Sequence, residues 1–229
     1  KEISFDTIAA SGPNAALPHY RVNYTSNRTI KKGDVLLVDS GGQYLDGTTD
    51  ITRTIAIGTQ SKEVKDAFTL VLKGLIAISK LKFPCGISGR DIDAFARAPL
   101  WQIGQDYAHG TGHGVGHYLS VHEGPQRISK FSDVEFRAGM IVSNEPGFYK
   151  EGKFGIRIEN LLYIKKENKK LIFENLTLAP IEKDLINFKK LNNVEKDYLF
   201  KYHLDVYGKI SKYLNNNEKK WLASHIYHF

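Results

Sequence analysis

The stretch "DVLLVDSGGQYLDGTTDITRTIAIG", residues 34–58, decides the fold because it contains two strand patterns joined by a polar connection. An apolar run ends at Asp39, a segment rich in Gly and Asp follows, and apolar and polar residues alternate after Asp50. Two such segments pair as an antiparallel ribbon, in which residues of facing strands come opposite each other. We therefore expect residues 1 to about 60 to be β structure, with Asp39 opposite Asp50.

A second hairpin is indicated by "NEPGFYKEGKFGIRIEN", residues 144–160, where strand patterns flank a turn. The turn falls at Gly152, which lies midway between Glu145 and Glu159. A hairpin that turns at this glycine would pair the two acids directly. The sequence therefore predicts a second pair of facing carboxylates.

Facing acids in apolar strands repel each other and resist loss of water unless something neutralises them. One pair alone could be a solvated sheet edge, but two pairs make that explanation inadequate. Four carboxylates carry a charge of about −4, which two divalent cations would cancel. Two metal ions roughly 3.5–4 Å apart activate a water molecule and polarise a carbonyl or phosphoryl oxygen. Together with a glycine-spaced histidine, the two acid pairs therefore predict a binuclear hydrolase.

Histidines concentrate in "HGTGHGVGHYLSVHEG", residues 109–124, which contains four of the eight in the chain. Glycine fills most of the space between the first three, so the stretch is not an amphipathic helix with imidazole on one face. A site with mostly oxygen ligands and one imidazole suits Mn²⁺ better than a structural zinc ion, which favours sulfur and nitrogen. The candidates are His109, His113, His117 and His122.

Helical spacing begins after this first ribbon. In "SKEVKDAFTLVLKGLIAISKL", residues 61–81, apolar residues recur at intervals of three and four, which predicts a helix capped by Ser61 with Val64 facing inward. A turn marked by Pro and Gly follows, and a second helix should start near Gly89 or Arg90.

The tail from about residue 184 differs in composition, because glycine almost vanishes there. Its stretch "VEKDYLFKYHLDVYGKISKYL", residues 194–214, predicts a helix. Tyr198, Tyr202 and Tyr213 should be packing residues rather than a platform for stacking bases.

Composition excludes several classes of protein. The net charge is +7 and basic residues concentrate late in the chain, in residues 163–170 and 188–220, but no basic stripe carries a nucleic-acid motif, so we expect solvated lysines and no nucleic-acid partner. No apolar run approaches a membrane span, so no membrane association is expected. The single Cys85 excludes internal disulfides and fits a reducing, cytoplasmic compartment. The start is neither a signal nor a transit peptide and lacks Met, which suggests a fragment or a processed chain.

Several long motifs occur in one order along the chain: "GPNAALPHYR" (12–21), "DSGGQYLDGTTDITRT" (39–54), "HGTGHGVGHYLSVHEGP" (109–125) and "NEPGFYKEGKFGIRIEN" (144–160). Together they resemble the catalytic domain of aminopeptidase P, an Xaa-Pro aminopeptidase of metallopeptidase family M24. The resemblance runs from about Phe5 to the end of the chain. It includes "LTLAPIEKDLI" (176–186) and "NEKKWL" (217–222), which look like the C-terminal extension of the larger, eukaryote-like subgroup.

The resemblance implies an α+β, pita-bread fold, with a curved antiparallel sheet flanked by helices and a helical C-terminal extension. Residues 1–180 would be the catalytic domain, lacking its first helices because of an N-terminal truncation, and residues 181–229 the extension. In relatives a similar tail takes part in dimer contacts, so a homodimer through this region is expected.

The resemblance also implies the metal ligands, which include the four acids found above. They would hold two divalent ions, most plausibly Mn²⁺, with Co²⁺, Zn²⁺ or Fe²⁺ as alternatives. Glu145, beside the bridging hydroxide, would double as the general base. The implied ligands are Asp39, Asp50, His113, Glu145 and Glu159.

Substrate-side roles are implied for other residues of the motifs. His109 and His122 would contact substrate and assist proton transfer, and His19 would be another substrate-side histidine. Arg157, two residues before Glu159, would hydrogen-bond within the site. His117 departs from the family pattern; we expect it to be exposed or to lie behind the ligands, although it could compete with His113.

The implied activity is release of the first residue from peptides with proline in second position, by a hydroxide bridging two metal ions. Proline presents a tertiary amide that general peptidases handle poorly. A prolidase-type Xaa-Pro dipeptidase shares the five ligands and is the alternative within the group. A non-catalytic, peptide-binding fragment is the alternative from another class of function.

Overall fold

The structure is a computed structural model that describes residues 2–118 and 120–226. The predicted limits of the two domains at residues 1 and 229 therefore lie outside the described residues.

Strands dominate the first three quarters of the chain and helices dominate the last. The helices are α1 (Lys62–Ser79), α2 (Gly89–Trp101), α3 (Asn193–Ile210) and α4 (Asn216–Ala223). The strands are β1 (Glu2–Ile3), β2 (Ile8–Ser11), β3 (Val35–Ser40), β4 (Gly42–Tyr44), β5 (Gly47–Thr48), β6 (Ile51–Ala56), β7 (Lys82–Pro84), β8 (Gly112–His113), β9 (Arg127–Ile128), β10 (Ile141–Asn144), β11 (Gly147–Lys150), β12 (Phe154–Arg157), β13 (Asn160–Glu167) and β14 (Lys170–Asn175).

All strand ladders among the described residues are antiparallel, and they are divided among several small sheets. The two larger sheets have the orders β2-β3-β6 and β10-β13-β14-β7. This arrangement confirms the predicted α+β class with antiparallel pairing. No helix within the described ranges combines the length and the apolar character that crossing a membrane requires.

The predicted ribbon forms, but its register differs by two residues from the expected one. β3 pairs with β6 so that Asp39 faces Thr52, while Asp50 lies just before the first residue of β6. Side chains two residues apart on a strand share a face, so the two acids are diagonal neighbours. The expectation that they lie opposite each other was wrong, because the ribbon turns between Leu45 and Asp46, one residue later than a direct pairing of the two acids would require.

The second hairpin has the predicted register. β10 pairs with β13 and β11 with β12 in one continuous alignment, which places Glu145 opposite Glu159 in the interval between the two ladders. The turn contains Gly152 at φ +67°, a left-handed conformation that glycine adopts without steric cost. This feature of the second acid pair is confirmed.

Residues 12–34 correct the prediction of continuous β structure in the first sixty residues. They form a 3₁₀ turn at Gly12–Ala16 and then a loop. Pro13 and Pro18 lack a backbone N–H for a strand ladder. Gly12 has φ +51°, which also interrupts an extended conformation.

The first two helices are as predicted. The Ser61 hydroxyl accepts a hydrogen bond from the backbone N–H of Val64 and caps α1, and α2 begins at Gly89. The helices approach each other closely at Gly74, where a Cβ would overlap the carbonyl oxygen of Ala96. Buried side chains of α1 form a core with the β11–β12 hairpin on one side. Buried side chains of α2 pack on the four-stranded sheet β10-β13-β14-β7.

The tail packs onto the same core as α1. Ile181, Leu185 and Leu199 are fully buried there. Helix α3 ends at Ile210, earlier than predicted, and a 3₁₀ turn follows it.

The predicted packing role of the tail tyrosines holds for two of the three. Tyr202 is buried and Tyr198 packs against the same core. The prediction for Tyr213 was wrong, because this side chain is 74% exposed on the turn that follows α3.

Candidate metal centre

The structure brings the five predicted ligands together from four separate segments. Asp39 lies near the end of β3 and Asp50 lies just before β6. Glu145 and Glu159 lie between the two ladders of the second hairpin, and His113 lies on β8. The His113 Nε2 atom lies 3.4 Å from Asp50 Oδ2 and 3.3 Å from Glu145 Oε1. The five residues are Asp39, Asp50, His113, Glu145 and Glu159.

These side chains form overlapping groups with the spacing of metal ligands. Glu159 belongs to one group with Asp39 and Asp50, and to another with His113 and Glu145; in each, the candidate ligand atoms lie within 4.8 Å of one another. A residue shared by two such groups can bridge neighbouring cations. The geometry is therefore suited to two ions rather than one.

Without bound cations, burial disfavours the ionised forms of these acids. Burial raises the pKa of Glu145 to about 7, against the opposing effect of His113 and Arg157. Burial and the neighbouring acids raise the pKa of Glu159 well above its ordinary value. Burial also raises the pKa of Asp39, although Arg157 opposes it. The protein alone thus disfavours four simultaneous negative charges, and cations would reverse this effect.

The residues present fit a pair of divalent cations. Asp39 Oδ1 and Glu159 Oε1 are buried and have no hydrogen-bond partner, although buried carboxylate oxygens normally have one. Four carboxylates and one imidazole form a donor set of the kind that Mn²⁺ and similar ions bind.

His113 is oriented as a ligand by its backbone neighbours. Its Nδ1 lies 2.9 Å from the carbonyl oxygen of Gly114, which can only accept, so Nδ1 carries a proton and Nε2 points to the acids. Burial alone would lower the pKa of His113, but Asp50 and Glu145 outweigh it and raise the value.

The glycines of the histidine segment are explained by close backbone contact. A Cβ at Gly112 would overlap the carbonyl oxygen of Ser143, and one at Gly114 would overlap that of Glu123. The strand that carries His113 therefore lies directly against β10 and its own return loop. Larger residues at these positions would push the imidazole away from the acids.

Arg157 is only 3% exposed but is one of the residues that line the cavity at the cluster. It donates to Asp39 Oδ2 at 2.6 Å and to the Tyr149 hydroxyl at 2.9 Å. Its pKa is raised, since Tyr149 and the neighbouring carboxylates outweigh the effect of burial. This guanidinium compensates part of the negative charge of the cluster.

His109 continues this chain of hydrogen bonds. Its Nδ1 donates to the Gly110 carbonyl at 2.8 Å, and its Nε2 lies 2.8 Å from the hydroxyl of Tyr149. Burial lowers the pKa of His109 to about 4, with Arg157 contributing. The imidazole is therefore neutral near pH 7, with Nε2 as an acceptor.

A cavity of about 990 Å³ opens onto the cluster and is lined by both His19 and His122. The rings of His122 and His113 are 4.1 Å apart, and burial together with His113 lowers the pKa of His122. His122 also lies within ligand spacing of Asp50 and His113. His117 is exposed and belongs to none of the metal-capable groups of the described residues, so the competing imidazole is His122 instead.

Two hydroxyl groups that support the acids were missed at the sequence level. The Thr52 hydroxyl donates to Glu159 Oε2 at 2.8 Å, and the Ser143 hydroxyl donates to Glu145 Oε1 at 3.0 Å. Thr52 is two residues from Asp50, and Ser143 is two residues from Glu145. Because side chains alternate along a strand, this spacing would have predicted that each hydroxyl lies on the same face as its acid.

A buried ion pair beneath the site was also missed. Arg97 donates to Asp93 at 2.7 Å and to the carbonyl oxygens of Tyr107 and His109 at 2.7 and 2.8 Å. Asp93 in turn accepts from the Thr111 hydroxyl at 2.6 Å. The signal was the spacing of an acid and a base by four residues in "RDIDAFAR", residues 90–97, which places both on one helix face.

Comparison with known protein families agrees with this geometry. The sequence model of metallopeptidase family M24 matches residues 1–166, and a model described as the C-terminal region of peptidase_M24 matches residues 169–229. The chain belongs to metallopeptidase family M24.

The M24 chain is 49% identical over 233 residues to a probable Xaa-Pro aminopeptidase P of Laccaria bicolor, covering 96% of this chain and 36% of that protein. It is 46% identical over 237 residues to Xaa-Pro aminopeptidase 1 of Dictyostelium discoideum, covering 98% of this chain and 38% of that protein. The chain thus spans little more than a third of these relatives.

Solved M24 structures show the same fold. The X-prolyl aminopeptidase of Caenorhabditis elegans, described as a cytosolic enzyme with a di-nuclear active site, superposes with a TM-score of 0.94 at 42% identity, over 99% of this chain and 39% of that one. Prolidase from Pyrococcus furiosus superposes with a TM-score of 0.67 at 33% identity, over 76% of this chain and 49% of that one.

Proposed function

We propose that this chain is the metal-binding, catalytic part of an exopeptidase that removes the first residue from peptides with proline in second position. The observation that carries the proposal is the convergence of the five ligand side chains at the floor of one cavity. The similarity to Xaa-Pro aminopeptidases over nearly the whole chain supports the choice of substrate.

In this proposal Asp39, Asp50, His113, Glu145 and Glu159 hold two divalent cations, with Mn²⁺ as the preferred ion. When bound, such a pair would supply Lewis acidity to the scissile carbonyl and would lower the pKa of a water molecule. Glu145 would be the general base for that water, because its carboxylate lies in the cluster and lines the cavity.

The histidines bind and orient the peptide. Neutral His109, whose ring nitrogens bond to Gly110 and Tyr149, contacts the peptide through its ring, and His122 offers a ring nitrogen at the cavity side of His113. His122 stabilises or protonates the tetrahedral species, and His19 contacts the substrate from the opposite loop. Arg157 compensates the charge of the cluster through its bond to Asp39 and, because it also lines the cavity, binds the substrate in this proposal.

The cellular location, the domain division and the oligomeric state belong to the same proposal. The protein acts in the cytosol, as the related enzyme of Caenorhabditis elegans is described to do. The division at residue 180 and a homodimer through the C-terminal region stay predictions.

The test is hydrolysis of an Xaa-Pro-Yaa tripeptide by the metal-stripped chain and after Mn²⁺, Co²⁺, Zn²⁺ or Fe²⁺ is restored, with bound metal counted. We expect activity to return with about two ions per chain, most strongly with Mn²⁺. Asp50→Ala should abolish it, whereas His117→Ala, a change at an exposed imidazole outside the cluster, should not. Full activity of Asp50→Ala at full metal loading would contradict the ligand assignment.

The dipeptidase alternative has support of its own, because prolidases superpose on three quarters of the chain. An Xaa-Pro dipeptide and an Xaa-Pro-Yaa tripeptide distinguish the two activities. We expect the tripeptide to be cleaved faster; cleavage of the dipeptide alone would favour the prolidase function. Two bound ions without turnover of either peptide would favour the non-catalytic, peptide-binding alternative.

A further inference from the structure

Arg53 lies on β6 between two threonines that face the metal centre. The hydroxyl of Thr52 binds Glu159, and that of Thr54 binds the backbone of Arg157. Because side chains alternate along a strand, Arg53 points to the opposite face. It therefore reaches the ligands through their backbone and not through their carboxylates.

One side of the guanidinium fixes the segment that carries Glu159. Its Nη1 donates to the carbonyl oxygens of Thr52 at 2.9 Å and of Glu159 at 2.6 Å, which ties β6 to the hairpin. Its Nη2 donates at 2.8 Å to the side-chain oxygen of Asn160, the next residue. Both the backbone and the immediate neighbour of the shared acid are thus held by one side chain.

The other side of the guanidinium contacts the C-terminal segment. Nε donates to the Pro180 carbonyl at 2.9 Å, and Nη2 donates to the Ala179 carbonyl and the Tyr202 hydroxyl at 3.0 Å each. The same hydroxyl donates to the Ala179 carbonyl at 2.6 Å. Tyr202 comes from α3, so this contact joins the tail helix to the strand of the metal centre.

The chemistry of these contacts requires arginine. All six acceptors are neutral carbonyl, amide or hydroxyl oxygens, and they lie in two directions from one planar group. A lysine ammonium is a compact charge with three donors on a flexible stem and cannot satisfy both sets at once.

We propose that Arg53 is a positioning residue through which residues 179–202 hold Glu159 in place and thereby set the affinity of the metal centre for divalent cations. The inference rests on the proposed function, since it assumes that Glu159 is a ligand. Through Arg53, the C-terminal region stabilises the position of Glu159, and it also packs on the core around α1.

The test compares Mn²⁺ binding by the 229-residue chain and three variants, using competition with a chelator and the electron paramagnetic resonance spectrum of the bound Mn²⁺ pair. Tyr202→Phe removes only the hydroxyl that contacts Arg53. The matched control is Tyr198→Phe, which removes a hydroxyl that is not one of the six acceptors of Arg53, from a ring that stacks on Tyr202 at 6.2 Å. Arg53→Lys removes the planar group. Circular dichroism and thermal unfolding of each metal-free variant report on the fold.

We expect Arg53→Lys to bind Mn²⁺ about 10- to 100-fold more weakly, as is usual when a partner of a ligand is lost. Tyr202→Phe should weaken binding roughly three- to tenfold, the size of one neutral hydrogen bond, and alter the spectrum of the pair. Tyr198→Phe should leave affinity and spectrum unchanged.

The inference is overturned if Tyr202→Phe binds two ions as tightly as the unchanged chain, or if Tyr198→Phe weakens binding equally. Should Arg53→Lys fail to fold, the comparison of the two tyrosine variants decides the question alone. Failure of the unchanged chain to bind a pair of ions is a different result, because it overturns the proposed function itself.

Discussion

The hydroxyl of Thr52 offers a sharp test of the metal centre, because it can be removed with almost no change of shape. The side chain is 0% exposed, donates to Glu159 Oε2 at 2.8 Å and accepts from Arg157 Nε at 3.2 Å. Thr52→Val leaves the strand intact and deletes both bonds. Thr54→Val is the matched control, since this buried threonine lies on the same face of the same strand but bonds only to the backbone of Arg157.

The expected loss of cation affinity in Thr52→Val follows from the charge state of Glu159. Without cations, burial and the neighbouring acids raise the pKa of Glu159, which favours its neutral form, and a hydrogen bond to a neutral carboxyl contributes about 1 kcal/mol. With cations bound the carboxylate is ionised, and a bond to a charged group contributes about 1.5–3 kcal/mol. The difference, roughly 0.5–2 kcal/mol, corresponds to a loss of about two- to thirtyfold in cation affinity.

Thermal unfolding of the metal-free variants and competition of a chelator for Mn²⁺ measure the two effects separately. Both variants should lose about 2–4 °C in melting temperature for each kcal/mol. Only Thr52→Val should also bind Mn²⁺ more weakly. Equal affinity losses in the two variants, or none in Thr52→Val, would refute the assignment of Glu159 as a ligand.

Three further outcomes are expected. Arg97→Met leaves a buried carboxylate unpaired and frees the carbonyl of His109; it should cost about 3–5 kcal/mol in urea unfolding, and a cost below roughly 1 kcal/mol would contradict the buried ion pair. The pKa of buried His203 is lowered from 6.5 to about 4, chiefly by burial, so its stabilising effect is complete above pH 6.5 and is lost as the pH falls towards 4. This amounts to about 3 kcal/mol, and the stability of His203→Gln relative to the unchanged chain should show that pH dependence in denaturant titrations. Gly74→Ala should lower the melting temperature despite the higher helix propensity of alanine, because its Cβ would overlap the Ala96 carbonyl; a rise would mean that α1 can move away from α2 without cost.

Much of the fold could be predicted because local signals and packing agree. Helix α1 begins where Ser61 and the apolar spacing place it, and the second hairpin has the register that Gly152 implies. The loop over residues 12–34 could not be located by strand patterning, because its conformation depends on prolines and on a glycine with positive φ. The exposure of Tyr213 was missed for a related reason: α3 ends in a 3₁₀ turn that changes the direction of its last residues.

The sequence alone predicted the chemistry that we propose for the site, because facing acids beside a glycine-spaced histidine require neutralisation wherever they meet. It could also pair Glu145 with Glu159, since a hairpin of known midpoint has only one register. Tertiary structure alone decided that Asp39 faces Thr52, that Arg157 and Tyr149 join Asp39 to His109, and that His122 rather than His117 lies beside His113. These contacts join segments up to 118 residues apart, and no local periodicity encodes distances of that kind.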